Sequence, residues 1–387
     1  MKVTTCTTRS LMLRSFFLIV IFSIASIFKS LDVPELTSHS LLIPVESSNP
    51  ISRLKDIKVL LLHVHLEGNL GDELETTPLL KHLHKQGAHV TAALSKWKKG
   101  EAQLHPKNSR EYELVDVLAT GMYRNYQPKH YDAIIVAPGP WSLCDDATIM
   151  PYPVDVYFGG SVHGFERCLE EHRLNERMAS TLFVIREPLS YRLIQKNLPA
   201  AQVFMSGDLT NSYRPSQAAI AFWNEKYQKR FNNKTLVFSR ANNFGKGVQI
   251  VESQIVLKFP NGTETLLPLE DVVFASSSFI EDADHFKSLK QNTSNLVMCH
   301  TTEQMFSLVG MARQVYTDRY HPGVLAHRLH VPLLVLEYKK NQIKLDGLQE
   351  ISRLKTHAEI VDLNAQAFSK LDEIIRAKSQ SKEATHH

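Results

Sequence analysis

The chain has 387 residues, 44 Lys+Arg against 40 Asp+Glu, and 43% hydrophobic content. At about 150 residues per domain this length holds about two domains, and its 16 Gly and 17 Pro are too few for a collagen-like or low-complexity chain. The basic surplus is small and sits at the N-terminus: without Lys2, Arg9 and Arg14, 41 basic residues face 40 acidic ones. A general nucleic-acid binder keeps its surplus on the folded part, so no nucleic-acid partner is expected.

Residues Ser15–Phe28 are uncharged and mostly apolar, and Leu11–Leu13 extend them across Arg14. Positive charges precede this run, while Asp32 and Glu35 follow it, which predicts a single-pass membrane helix with its N-terminus in the cytosol. A cleaved signal peptide, cut near Ser23-x-Ala25, is the alternative. The expected organisation is a cytosolic tail at 1–10, a signal anchor at 11–28 and a luminal stem at 29–54. Three N-x-[ST] sequons, at Asn233, Asn261 and Asn292, suit a luminal chain. Cys6 precedes the anchor, so Cys144, Cys168 and Cys299 allow at most one internal disulfide. A luminal domain relying on its own core points to a type II Golgi membrane protein.

From Lys58 the pattern changes. Val59–Val64 reads as a buried strand, Glu73–Gln86 as a helix and Val90–Leu94 as the next strand. Asp132–Ala137 is a strand, Phe165–Arg177 a helix, Thr181–Ile185 a strand, Pro188–Lys196 a helix and Gln202–Met205 a strand. A second set starts with helix Gln217–Lys229 and strand Thr235–Ser239. Val248–Leu257 and Glu264–Phe274, around Phe259-Pro-Asn-Gly262, read as a hairpin insertion. Strand Asn295–Cys299, helix Glu303–Arg313, strand Gln314–Thr317, helix Gly323–Leu329 and strand Pro332–Glu337 follow. Helices near Leu345–Leu354 and Ala367–Ala377 close the fold. This alternation implies parallel βαβ units in two doubly wound halves, 55–212 and 213–377, with the hairpin insertion near 248–274. The tail 378–387 is expected to be disordered.

Gly68-Asn69-Leu70-Gly71-Asp72 lies between a strand and a helix, where glycines admit a ligand to free backbone N–H groups. It is equally the pattern of a βα turn in which Asn69 or Asp72 caps the helix. Arg186 ends a buried strand, where its planar fork suits a carboxylate or phosphate; an ion pair with Glu187 or Asp208 is the alternative. Arg319 and His321, at the next such strand end, offer a fixed cation beside a titratable imidazole. Trp141, Tyr157 and His163 form an aromatic and glycine cluster that reads either as a sugar platform or as loop packing. Asp282-Ala-Asp284 has the acid-x-acid form of a metal-holding pair, although a solvated loop or helix start is the plainer reading. His63, His65, His82 and His84 lack a zinc signature, and no metal is expected.

Gly68-Asn-Leu-Gly-Asp72, Ile185-Arg-Glu-Pro-Leu-Ser190 and Thr317-Asp-Arg-Tyr-His-Pro-Gly323, the last followed by Val331–Tyr338, together resemble the polysaccharide pyruvyl transferase family over about residues 57–340. With an anchor in front, the layout is similar to that of yeast Golgi pyruvyltransferases acting on N-glycan galactose. Two departures are Pro322, where many members have Gly, and the hairpin around Phe259. The resemblance implies two Rossmann-like domains of the glycosyltransferase-B kind facing a central cleft. It also implies phosphoenolpyruvate as co-substrate, no required cofactor, and a terminal β-galactose of cell-surface glycans as acceptor, giving a 4,6-ketal. Arg186, Arg319, His321, Gly68, Asn69 and Gly71 would bind the donor, and Trp141 and Tyr157 the acceptor. His321 would protonate the donor or hold its phosphate, titrating near working pH, while Asp72 or His163 would serve as base. Two competing readings are a nucleotide-sugar-dependent Golgi glycosyltransferase of the sialyltransferase-like kind and a non-catalytic luminal glycan-binding or scaffold protein.

Overall fold

The computed structural model describes residues 53–64, 68–96, 113–118, 128–144, 154–162, 173–279, 281–290, 293–337 and 342–385. All of these residues belong to one compact unit, Ser52–His387. The expected tail and anchor, and nearly all of the stem, lie outside the described residues, as do His163, Cys168 and Asn292. Leu54, assigned to the stem, is fully buried in the core and donates its N–H to the Gln86 carbonyl at 2.9 Å. No helix among the described residues is long and apolar enough to cross a membrane.

The first sheet contains β1 (Lys58–Val64), β2 (His89–Lys96), β3 (Glu113–Leu118), β4 (Ala133–Val136), the short β5 (Pro140–Trp141), β6 (Val156–Val162), β7 (Leu182–Ile185) and β8 (Gln202–Met205). Its order is β3-β2-β1-β4-β6-β7-β8, with β5 paired to β6. Every pairing in it is parallel. Continuous apolar runs such as Val59–Leu62 are what a sheet covered on both faces requires. Helices α1 (Leu70–Lys85), α2 (Leu174–Arg177) and α3 (Pro188–Asn197) connect these strands. Strand β6 escapes sequence reading because Gly159-Gly160 resembles a loop. Gly159 adopts φ 78° at a bulge that keeps β6 paired with β7.

After α4 (Gln217–Phe231) the second sheet uses β9 (Thr235–Phe238), β13 (Val272–Ser276), β14 (Leu296–Met298), β15 (Gln314–Thr317) and β16 (Leu333–Val335), in the order β14-β13-β9-β15-β16 and all parallel. The expected hairpin is instead an antiparallel meander of β10 (Val248–Val251), β11 (Gln254–Lys258) and β12 (Glu264–Pro268). Val248–Leu257 turns back on itself at Glu252, which has φ 54°, and Val272–Phe274 belong to the parallel sheet. Helices α5 (Ala283–Leu289), α6 (Thr302–Met311) and α7 (Tyr320–Arg328) complete this half.

Helix α8 (Gln342–Leu354) leads to α9 (His357–Thr385), which corrects two expectations. The tail beyond 378 is helical as far as Thr385, and α9 packs on the first sheet. Ala367, Leu371 and Ile375 share a core with Val59, Leu61 and Leu80. Lys378 Nζ lies 2.9 Å from Asp155 Oδ1, and Lys382 donates to the Tyr131 carbonyl. These basic residues dock the last turns, where composition alone suggests solvation. His82, on α1, stacks on Phe368 and meets Asp372 at 2.8 Å. Cys144 is disulfide-bonded and Cys299 is a buried free thiol.

Candidate functional site

In each parallel sheet the strand order reverses beside the first strand, at β1/β4 and at β9/β15. Loops leaving carboxyl ends at such points diverge and leave room for a ligand. The loop after β1 carries Gly68–Asp72, the loop after β9 Ser239–Asn243, and the loop after β15 Asp318–His321. The first is tied to the second half of the chain: Leu70 N donates to the Ser277 carbonyl at 3.0 Å, and Phe279 N to the Gly68 carbonyl at 3.2 Å. Gly68 adopts φ 63°, which a side chain would strain. Asn69 caps α1, its Oδ1 accepting from Gly71 N at 3.1 Å. The helix-capping reading therefore holds for the Asn69 side chain.

Arg186, 1% exposed, is the hub of the first half. Its Nε donates to Ser161 Oγ at 2.8 Å, and its Nη1 pairs with Glu75 and lies 3.3 Å from Asp208 Oδ2. Its guanidinium also stacks 4.2 Å above the Tyr320 ring. The second half contributes His321, whose Nε2 is 2.9 Å from Glu75 Oε1 and 4.0 Å from Asp208 Oδ2. The imidazole fits against the first turn of α1 because Gly71 has no side chain; a Cβ there would overlap the ring. Burial, reinforced by Arg186 and only partly opposed by Asp208, lowers the His321 pKa to about 3. The ring is therefore neutral near pH 7, contrary to the expectation that it titrates at working pH. Pro322 falls in the first turn of α7, where a helix lacks an N–H partner anyway, so proline is accommodated.

Arg319, 5% exposed, pairs through Nη1 with Glu281 at 2.7 Å and through Nη2 with Asp282. Asp282 also accepts from Ser276 Oγ at 2.6 Å, whereas Asp284 is 97% exposed and bonds Lys287. These two carboxylates diverge, so Asp282-Ala-Asp284 is not a metal-holding pair. Asp318 fixes the loop after β9, accepting from Ser239 Oγ at 2.6 Å, Arg240 N at 3.0 Å and Asn243 Nδ2 at 2.7 Å.

The Asp72 carboxylate and the Lys344 ammonium make no hydrogen bond or ion pair among the described residues, yet each feels the other's charge. Burial raises the Asp72 pKa to about 7, against the pull of Lys344 and with help from Glu281. Burial likewise lowers the Lys344 pKa to about 7, assisted by Arg186 and Arg240. Glu75, Asp208 and His321 bring donor atoms within 4.8 Å of one another, a set able to take a divalent ion. Arg186 already supplies a cation facing both carboxylates.

Of the residues singled out from sequence, Gly71, Asp72, Arg186 and His321 converge here, and Arg319 acts on the charge of Lys344 beside them. Trp141 and Tyr157 do not join them. They are 3% and 0% exposed, in edge contact with each other, and Tyr157 stacks on Phe183 in the core. Neither presents a face to a sugar, because the glycine cluster is a buried strand. Sequence reading missed Glu75, Arg240 and Lys344 and knew Asp208 only as a possible partner of Arg186. Arg240 follows a strand end, as Arg186 and Arg319 do, and that placement is its signal in the sequence. Glu75, inside a helix, and Lys344, near the start of one, carried no such signal.

The profile of the polysaccharide pyruvyl transferase family matches residues 69–340, from Asn69 through His321 and short of Lys344. No curated protein sequence matches the chain. Among solved structures, UDP-N-acetylglucosamine 2-epimerase from Rickettsia bellii is similar at 11% identity and TM-score 0.49, covering 84% of this chain and 97% of that one. UDP-GlcNAc 2-epimerase from Methanocaldococcus jannaschii, in complex with UDP-GlcNAc and UDP, is 13% identical with TM-score 0.44, covering 78% and 94%. WaaG, a glycosyltransferase involved in lipopolysaccharide biosynthesis, is 12% identical with TM-score 0.45, covering 84% and 95%. On the family match, which takes in Asp72, Arg186, Arg319 and His321, the chain belongs to the polysaccharide pyruvyl transferase family.

Proposed function

We propose that this transferase moves the pyruvyl group of phosphoenolpyruvate onto a terminal β-galactose of a glycan, closing a 4,6-ketal. The observation that carries the reading is the convergence of Arg186, Arg240 and Arg319 on Lys344, each acting on its charge, beside an Asp72 that titrates near neutrality. A donor with a carboxylate and a phosphate needs fixed positive charge. The reaction also needs a group that gives a proton and takes one back at working pH.

Protonated Asp72 gives its proton to the donor's methylene carbon, leaving C2 cationic. One sugar hydroxyl bonds to C2 and its proton returns to Asp72. The C2–O bond to phosphate then breaks, and the second hydroxyl bonds to C2 while its proton leaves with the phosphate. His321, neutral in the ligand-free protein, takes up a proton only beside the donor's anionic groups and then holds the departing phosphate. Asp72 thus replaces His321 as the proton carrier. The nucleotide-sugar reading loses its support from sequence, since Asp282 faces Arg319 and Asp284 faces solvent.

The test uses the full-length chain in detergent with phosphoenolpyruvate and an aryl β-galactoside, following phosphate release and acceptor mass together. One phosphate per pyruvyl ketal is expected. Phosphate release without a heavier acceptor, or neither event, would overturn the proposal.

A further inference from the structure

The two arginines that sequence reading offers as donor ligands are each already faced by two carboxylates, Arg186 by Glu75 and Asp208 and Arg319 by Glu281 and Asp282. Those carboxylates already occupy the two guanidinium groups, which leaves little of their charge unmatched for a multiply charged anion. Attraction requires a positive group that is not already matched. Lys344 is such a group. It lies in the first turn of α8, and Gly347, one turn on, abuts Glu187 at the start of α3 so closely that a Cβ would overlap the Glu187 carboxylate. Arg192 on α3 holds Glu350 on α8 through bonds of 2.7 and 2.8 Å. Leu345 is fully buried next to Lys344. The backbone presenting the ammonium is therefore fixed.

The position is a poor one for a cation in the ligand-free protein. The first turn of a helix carries positive partial charge and favours acidic side chains, and α8 has none there. Arg186, Arg240 and Arg319 repel the ammonium, and the attraction of Asp72 and Glu281 offsets them only in part. Its own charge is felt by Asp72, Glu281 and His321, on both sides of the joint between the two sheets.

Resting on the donor reading above, we infer that Lys344 is an anion-binding residue of this site, held in an unfavourable place so that its charge is matched only when the phosphate or carboxylate of the donor enters. The family profile ends at residue 340, so this residue is a feature of the present chain outside the matched segment. The depressed Lys344 pKa is the consequence expected of a half-buried cation without a paired carboxylate.

Calorimetric titration of phosphoenolpyruvate, and separately of inorganic phosphate, into full-length wild type, Lys344→Met and Lys344→Arg at about pH 6 keeps the ammonium charged. Lys344→Met is expected to weaken both anions by about 10- to 100-fold, as loss of one charge-assisted hydrogen bond does, and Lys344→Arg to stay within a few-fold of wild type. Without ligand, Lys344→Met should melt higher than wild type, because a half-buried, unpaired cation has gone; a lysine with a packing role would give a lower melting temperature. Unchanged anion affinity, or a less stable Lys344→Met, overturns the inference, as does a wild type that binds neither anion. Phosphate binding that depends on Lys344, in a protein that forms no ketal, would keep the inference and remove the donor reading. Ketal formation with equal KM in wild type and Lys344→Met would do the reverse.

Discussion

Asp72 binds its proton more tightly in the folded protein than in the unfolded chain, because burial lifts its pKa from 3.8 to about 7. Its ionisation therefore opposes folding progressively as pH rises from near 4 to 7, and fully above that. Asp72→Asn removes this cost. Its melting temperature is expected to exceed wild type by about 2–4 °C at about pH 8, with the gain vanishing towards about pH 4. The same change should lower kcat/KM by about 10²- to 10⁴-fold, the usual worth of a general acid–base group. Scanning calorimetry at both pH values, with ketal assays alongside, decides it; a gain equal at both would show that ionisation is not its cause. Arg186 is the opposite case. Arg186→Met leaves Glu75 and Asp208 buried without their cation and should cost about 3–5 kcal/mol in denaturant unfolding. Arg319→Met should cost less, since Glu281 is 53% exposed and returns to water. Equal losses would show that the burial of the partners does not set the cost.

At the scale of elements, Asp318 connects the ends of two strands. Its carboxylate gathers Ser239, Arg240 and Asn243, and so fixes the loop that carries Arg240 out of β9. Asp318→Asn turns one acceptor into a donor facing other donors, at a cost of about 1–3 kcal/mol. As a positioning residue it should raise KM for the donor more than it lowers kcat; an equal fall in both would place its effect in the chemical step instead. Such connections also mark how far the sequence could be read. The parallel strands announce themselves because burial on both faces forces apolar runs, and Arg186, Arg319 and His321 are legible because they stand just past the ends of such strands. Glu75 is not, since inside α1 it looks like any helical glutamate until Arg186 and His321 arrive from 111 and 246 residues away. Trp141 and Tyr157 misled for a related reason: a strand containing Gly159-Gly160 and a bulge has the composition of a loop. The pKa of His321 depends on what surrounds the ring, which spacing along the chain does not encode.

For the molecule as a whole, the chain ends by returning to the sheet from which it started, and one residue of that return reaches the candidate site. Asn364 on α9 accepts from Gly207 N at 2.9 Å and donates to the Asp208 carbonyl at 3.1 Å and to Ser212 Oγ at 3.0 Å. It is fully buried, so Asn364→Ala would leave these groups without partner or water, at a cost of about 2–4 kcal/mol. Because Asp208 faces Arg186 from the other side, the loss should extend beyond stability. The Arg186 guanidinium would be held by Glu75 and Ser161 with a loosened third support, and the donor's KM should rise several-fold at temperatures where the variant stays folded. A stop codon at Lys378 tests the outer end of the same helix. It removes the pairs with Asp155 and Tyr131, worth about 0–1 kcal/mol each at a partly open surface, and leaves Asn364 and the packed Ala367, Leu371 and Ile375 in place. That shortened chain should keep the wild-type KM while Asn364→Ala does not. If the two variants altered KM alike, α9 would support the site only through overall stability rather than through Asn364.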